Sequence, residues 1–187
     1  MPTRLTDEAP AGRIIEPLRP GVVLPDLLRP GLRLVFCGTA AGHHSARRQA
    51  YYAGPGNRFW PTLHQVGLTP VRMAPEDYGL VLDLGIGLTD LAKYVAGADA
   101  DLDISDYDVP GLEARIAGAG PGVLAFTSKQ AAKVALGRRE VAYGLVPDMR
   151  FAGCEVHVLP SPSGRATAWW HPGPWQALAD RSRRSAT

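Results

Sequence analysis

Short apolar runs alternate with helical patterns along most of this chain, and the alternation constrains the fold more than any other feature. Four segments are typical of strands: "LRLVFC" (32–37), "GLVLDLGIGLTDL" (79–91), "GVLAFTS" (122–128) and "CEVHVLP" (154–160). Helical spacing and helix boundary signals mark 56–68, 109–120, 129–136 and 173–184. Strands that alternate with helices favour a mostly parallel sheet covered on both faces. The sequence therefore predicts an α/β fold with three α/β/α layers and a central, mostly parallel four-stranded sheet.

The length and composition indicate one domain. A chain of 187 residues with 45% apolar and 20% charged residues can bury one sizeable core. Residues 1–31 are rich in proline and glycine and show no sustained periodicity. We expect an extended arm over 1–31, lying on the domain or partly disordered, and a single domain over 32–187.

Composition also limits the cofactors and the compartment. The two cysteines, Cys37 and Cys154, end one apolar strand and open another, which favours reduced thiols and a cytoplasmic protein. Two thiolates are too few for an iron–sulfur cluster, and no metal or organic cofactor is indicated. No apolar run approaches the roughly 20 residues of a membrane span, so no membrane partner is expected. The net charge of +2 permits a nucleic-acid partner without requiring one.

Three segments fall at the carboxyl ends of predicted strands, and the convergence of their loops predicts a pocket. They are "GTAAGHHSA" (38–46), "GIGLTDL" (85–91) and "PSPSGRA" (160–166). In open α/β sheets, ligands bind in a crevice at the carboxyl ends of the strands. The three loops are therefore the candidate site.

The same loops carry a resemblance to a known family. The segment "FCGTAAGHHSARRQAYYAGPGNRFW" (36–60) resembles the first motif region of the uracil-DNA glycosylase superfamily, and most closely that of the mismatch-specific uracil and thymine-DNA glycosylases. "VLPSPSGRA" (158–166) is similar to the second motif of the family, and "GIGLTDL" resembles a segment between the two. The resemblance spans 32–165 and implies the glycosylase fold, with DNA that contains uracil or a mismatched base as the partner of a monomer.

The first motif departs from the family at its catalytic position. The resemblance implies an asparagine or aspartate that positions or activates water, and this sequence has Ala40 there. A class of cluster-bearing glycosylases is similar in having alanine at that position and a histidine four residues later, where this chain has His44. A positioned acid or base contributes about 10²- to 10⁴-fold, so excision without that side chain is conceivable.

Two residues are candidates to replace the missing catalytic side chain. His44 can donate to the departing base or hold its negative charge; alternatively, His43 and His44 contact DNA phosphates or cap the loop. Asp90 lies where the resemblance implies an asparagine that reads the uracil edge, and its carboxylate can accept from the base or orient water. A carboxylate against the pocket should have an elevated pKa. The alternative for Asp90 is a solvated or helix-capping residue.

The resemblance also indicates how the base is held. Backbone amides that begin near Thr39 and Ala40 are expected to stabilise the departing uracil anion. Tyr52 matches the aromatic position that stacks on the flipped base, with Tyr51 as the substitute and packing beneath the loop as the alternative. Asn57 is assigned to the base-binding loop and is equally suited to cap the next helix.

The second motif predicts the contacts with DNA. Ser161 and Ser163 can donate to phosphates beside the extruded nucleotide, and Gly164 allows a tight turn. Arg165 matches the side chain that fills the vacated base stack in the thymine-DNA glycosylases, where it offsets unstacking costs of a few kcal/mol. A solvated loop arginine is the alternative.

Together these features predict a monofunctional glycosylase that flips uracil and hydrolyses its N-glycosidic bond. The first loop has no lysine for Schiff-base chemistry, so strand cleavage is not expected. Two other functions stay open: a catalytically silent DNA-damage-binding protein that keeps Tyr52 and Arg165, and a small-molecule nucleoside hydrolase.

Overall fold

A computed structural model describes residues 20–184, so most of the predicted arm over 1–31 lies outside the described residues. The strands are β1 (Leu34–Ala41), β2 (Ile86–Ala96), β3 (Val123–Phe126), β4 (Gly144–Phe151) and β5 (Cys154–Val158). The helices are α1 (His43–Arg48), α2 (Phe59–Gln65), α3 (Val109–Ala119), α4 (Lys129–Leu136) and α5 (Gly173–Arg184). Short 3-10 turns occupy 75–84, 99–101, 104–106 and 167–169.

The strands form one central sheet in the order β2-β1-β3-β5-β4. The pairs β1–β2, β1–β3 and β3–β5 are parallel, whereas β4 runs antiparallel to β5. The predicted α/β fold with a mostly parallel sheet flanked by helices is confirmed, but the sheet has five strands and not four. The missed strand β4 contains Pro147 and lies at the sheet edge, where a residue without an amide N–H is tolerated.

The second strand begins later than the sequence pattern indicates. Residues 79–84 belong to the 3-10 helix Pro75–Leu84, which ends at Gly85 with a left-handed φ of 71°. The strand then runs over Ile86–Ala96, and its first eight residues are buried. The short apolar run over 79–84 continues directly into that of β2, and a run of this kind cannot be assigned to helix or strand by its period alone, which explains the error over 79–84.

Helix boundaries follow the capping signals of the sequence. Asp108 precedes α3 and accepts from the amide of Gly111 at 2.9 Å, and Gly120 ends the helix with φ 54°. Ser128 precedes α4 and accepts from the amide of Ala131 at 3.0 Å. These caps satisfy donors that have no partner inside the helix. The four helices predicted from the sequence are present.

The core connects the sheet to the loop after β5. The ring of Phe36 on β1 packs edge-on against Phe59 of α2, with centroids 5.1 Å apart, and stacks on Trp175 of α5 at 5.6 Å. The indole N–H of Trp175 donates to the carbonyl of Pro160 at 3.1 Å. Core packing therefore holds the start of the 160–166 loop in place.

The segment that precedes β1 covers the free edge of β2. Leu24 and Leu27 are buried in the main core. Leu27 and Leu88 exchange two backbone hydrogen bonds of 2.9 and 3.0 Å, and the amide of Val23 donates to the carbonyl of Lys93 at 2.8 Å. Part of the predicted arm is thus an additional edge segment that protects β2 from pairing with other chains.

Candidate functional site

A cavity of about 570 Å³ opens at the carboxyl ends of the parallel strands. From β1 the chain proceeds to β2 on one side, and from β3 it proceeds through the edge strand β4 to β5 on the other, so the cavity lies at a topological switch point of the sheet. Thr39 and Ser128 share a 2.8 Å hydrogen bond between their hydroxyls across this point. The residues predicted for the site all line the cavity: Thr39, Ala40, His43, His44, Tyr52, Asn57, Asp90, Ser161, Ser163, Gly164 and Arg165.

Asp90 is the buried carboxylate of the cavity. It pairs with Gly38 in the β1–β2 register, and a Cβ at Gly38 would overlap the Asp90 carboxylate. The side chain is 4% exposed, and burial raises its pKa to about 6, against the opposing effects of Lys93 and Arg115. Asp90 is therefore mostly ionised at neutral pH and takes up a proton in mildly acidic solution.

The two histidines lie at the rim of the cavity. His43 and His44 form the first turn of α1, and both are exposed. The Nδ1 atom of His44 is 3.2 Å from a guanidinium nitrogen of Arg47. Their position favours contact with a large ligand that covers the cavity mouth over contact with a small molecule at its base.

The two adjacent tyrosines differ in accessibility. Tyr52 is half-buried, its ring stacks on Phe59 with centroids 3.7 Å apart, and its hydroxyl lies 3.2 Å from that of Thr127. Tyr51 is buried, and its hydroxyl donates to the carbonyl of Pro25 at 3.0 Å. Only the ring face of Tyr52 that is turned away from Phe59 remains for another aromatic group.

The loops of the two sequence motifs contact each other directly. The amide of Arg58 donates to the carbonyl of Pro162 at 2.8 Å, and its guanidinium reaches the carbonyl of Ser163 at 3.4 Å. A Cβ on Gly164 would lie 2.6 Å from the carbonyl oxygen of Pro55 and 3.3 Å from the Cα of Gly56. The two loops therefore form one rim and cannot separate without losing these contacts.

A family model for the uracil DNA glycosylase superfamily matches residues 25–179, which is most of the chain. The chain belongs to this superfamily. The fold is also similar to the solution NMR structure of a "putative Uracil DNA glycosylase" from Methanosarcina acetivorans, with a TM-score of 0.63 and 23% sequence identity. That match covers 87% of this chain and 98% of the other.

Within this glycosylase fold, the serines of the second motif shape their own loop. The hydroxyl of Ser161 accepts from the amide of Ser163, and that of Ser163 accepts from the amide of Arg165, each at 3.3 Å. The side chain of Arg165 is exposed beside them. Asn57 has a similar local role, since its carbonyl oxygen accepts from the amide of Phe59 at 2.9 Å and caps the start of α2.

The structure adds polar residues to the cavity that the sequence analysis did not select. Thr127 and Ser128 follow β3 and line the cavity, so their place after a buried strand was an available signal. Asp99 also lines the cavity, at an exposed position. Partial desolvation raises the pKa of its carboxyl, and a hydrogen bond from Thr39 opposes the rise. Asp99 lies three residues after the end of β2, at the start of a short 3-10 turn, and no motif marks it.

Within residues 20–184 no group of three or more His, Cys, Asp or Glu side chains is arranged to hold a metal ion. Over the same part of the chain, no helix combines the length and the apolarity needed to cross a lipid bilayer.

Proposed function

We propose that the protein is a monofunctional uracil-DNA glycosylase of the mismatch-specific type that acts as a monomer. It flips uracil out of DNA and hydrolyses the N-glycosidic bond, which leaves an abasic site. The observation that carries this proposal is the buried carboxylate of Asp90 in a cavity bordered by both motif loops. Such a cavity suits a base that has left the helix, because the base exchanges its stacking neighbours for protein.

The chemistry requires charge stabilisation on both sides of the scissile bond. As the bond between N1 and the deoxyribose breaks, the sugar becomes positive and the base negative. The anionic Asp90 stabilises the sugar cation and accepts a proton from the attacking water. Backbone amides of Thr39 and Ala40 hold the departing base. In this arrangement Asp90 takes over the role of the family residue that Ala40 lacks.

The exposed residues engage the rest of the DNA. His44 and His43 contact a phosphate or the base from the rim, while Ser161 and Ser163 donate to phosphates beside the flipped nucleotide. The free face of Tyr52 stacks on the flipped base. Because Asp90 is buried and His44 is exposed, we assign the hydrolytic role to Asp90.

Arg165→Ala is expected to reduce excision from duplex DNA about 10-fold more than excision from single strands, since only the duplex has a base stack to refill. Single-turnover rates on matched uracil-containing duplex and single-stranded oligonucleotides measure this difference. Arg139→Ala, at an exposed arginine that does not line the cavity, is the control. Equal losses on both substrates would remove Arg165 from the base stack.

The function itself is tested with an end-labelled duplex that contains one uracil. We expect strand cleavage at the uracil after alkali and none before it, because hydrolysis leaves an abasic site and the protein lacks a Schiff-base lysine in the first loop. Tight binding without uracil release would identify a damage-binding protein. Release of uracil from free deoxyuridine as readily as from DNA would identify a nucleoside hydrolase.

A further inference from the structure

A cluster of charges lies near Asp90, on the side of the segment that precedes β1; Lys93 is buried, whereas the side chains of Asp26 and Arg115 are 26% and 20% exposed. Lys93 of β2 is 4% exposed, and its ammonium group is 2.9 Å from a carboxylate oxygen of Asp26. The same oxygen accepts from the hydroxyl of Thr89 at 2.6 Å. Lys93 also donates to the hydroxyl of Tyr51 at 3.3 Å. The cluster therefore joins the edge segment to β2 and to the loop after α1.

Arg115 of α3 connects this cluster to the backbone of Asp90. One guanidinium nitrogen donates to the carbonyl of Asp90 at 3.0 Å, and the Nε atom lies 3.3 Å from the second carboxylate oxygen of Asp26. A third nitrogen is 3.6 Å from Asp108, whose side chain is 40% exposed. Asp26 thus lies between the cations Lys93 and Arg115, and Asp90 is a second, buried anion near them.

We propose that Asp26 and Lys93 are positioning residues of the glycosylase site: the Lys93 cation holds Asp90 in the ionised state that hydrolysis requires, and Asp26 holds Lys93 in place. The inference rests on the proposed function of Asp90. The edge segment thereby becomes part of the active site although Asp26 does not line the base cavity. Lys93 is buried in this ion pair and Asp26 is partly buried, so their charges are only weakly screened by solvent and act on nearby buried groups.

The two residues act on Asp90 with opposite sign. The Lys93 cation favours the Asp90 carboxylate and lowers its pKa, whereas the Asp26 carboxylate raises it. Removal of the cation should therefore raise the pKa of Asp90, and removal of the anion should lower it. A loss of packing alone would not produce opposite shifts.

The other titratable groups around Asp90 do not change the direction of these expected pKa shifts. Cys37 of β1 and the two tyrosines Tyr51 and Tyr52 face it, and burial raises the pKa of all three well above the ordinary values, so they stay neutral between mildly acidic and neutral pH. Arg115 is the other cation that acts on Asp90. The rest of the cavity contributes Asp99 and the rim histidines His43 and His44.

The test compares pH profiles of single-turnover excision from the uracil duplex. The excision rate falls on the acid side of the profile, and we call this fall the acid limb. In Lys93→Met the acid limb should move to higher pH by at least about half a unit, and in the isosteric Asp26→Asn it should move to lower pH by a similar amount. The double variant should lie between them. Lys133→Met and Asp148→Asn are matched controls, since they make the same charge changes in exposed ion pairs on α4 and β4.

A second readout is independent of catalysis. The carboxyl ¹³C resonance of Asp90, assigned by comparison with Asp90→Asn, reports its titration directly in each folded variant and separates it from Asp99 and the histidines. Opposite shifts of the Asp90 pKa in the two variants support the inference even if the protein excises no uracil. An absence of excision would contradict the proposed function alone. Unchanged midpoints of the Asp90 titration, or shifts in the same direction, would overturn the inference. If Lys93→Met does not fold, the shift in Asp26→Asn decides.

Discussion

Asp90→Asn should slow single-turnover excision of uracil at neutral pH by about 10²-fold or more, roughly 2.7 kcal/mol of barrier, with little change in DNA binding. The amide retains the size of the side chain and its carbonyl acceptor, but it can neither accept a proton from water nor carry the charge that stabilises the sugar cation. Rapid-quench measurement of uracil release with enzyme in excess isolates this chemical step.

The pH dependence of the same variant adds a second expectation. The ionised Asp90 is the active form, so the wild-type rate should be full above the pKa of about 6 and should fall as the pH decreases through it. The residual rate of Asp90→Asn should show no such decrease on the acid side of the pH profile, its acid limb. His44→Ala, at the exposed rim, should reduce the rate much less and keep the limb.

Stability should change in the opposite direction to activity. The pKa of Asp90 in the folded protein, about 6, is above its ordinary value of 3.8, so ionisation of this residue opposes folding. The cost is absent below the ordinary value, grows as the pH rises through both values and reaches on the order of 3 kcal/mol at neutral pH. Chemical denaturation should therefore find Asp90→Asn more stable than the wild type at neutral pH and equally stable near pH 3.

An unchanged excision rate in Asp90→Asn would assign a different role to this side chain. If Asp90→Asn excises uracil at the wild-type rate, the side chain serves only as an acceptor for the base, as the asparagine of the resembling classes does. His44 or the backbone amides of Thr39 and Ala40 would then supply the electrostatic stabilisation. A stable but inactive variant excludes misfolding as the cause of its low rate.

The fold was predictable because its signals are local. Each predicted helix begins at a residue whose side chain or ring suits the first turn, such as Ser128 before α4, or ends at a glycine such as Gly120. Parallel strands place their carboxyl ends at one edge of the sheet, so residues on different strands and on the loops after them converge without any further information. For this reason the predicted site residues line a single cavity.

The charge cluster beside Asp90 was not predictable on the same basis. Lysine is almost never buried unless it is paired, so Lys93 within a strand gives no sign of its environment. Its partner Asp26 lies in a segment without periodicity, and the backbone contacts of Val23 with Lys93 and of Leu27 with Leu88 bring the two together. Contacts between an irregular segment and a strand far along the chain depend on the assembled fold.

Gly164→Ala is expected to lower kcat/KM on the uracil duplex by about 10²-fold or more while the melting temperature changes little. The added methyl group would lie 2.6 Å from the carbonyl oxygen of Pro55, and 3.2 and 3.3 Å from two backbone atoms of Gly56. Because backbone atoms cannot rotate away as a flexible side chain can, the second-motif loop must shift. The shift would break the hydrogen bond between Arg58 and Pro162 and displace Arg165 from the rim.

Gly54→Ala provides the matched control, since it makes the same change in the opposing loop. No atom outside its chain neighbours lies within 4 Å of a Cβ at Gly54, and its φ is not left-handed, so its kcat/KM should stay within about threefold of wild type. If Gly164→Ala were as active as Gly54→Ala, close contact between the loops would not be needed to grip DNA. If it bound duplex normally but failed to excise, the contact would instead align the flipped base with Asp90, since binding through Arg165 would have survived the shift.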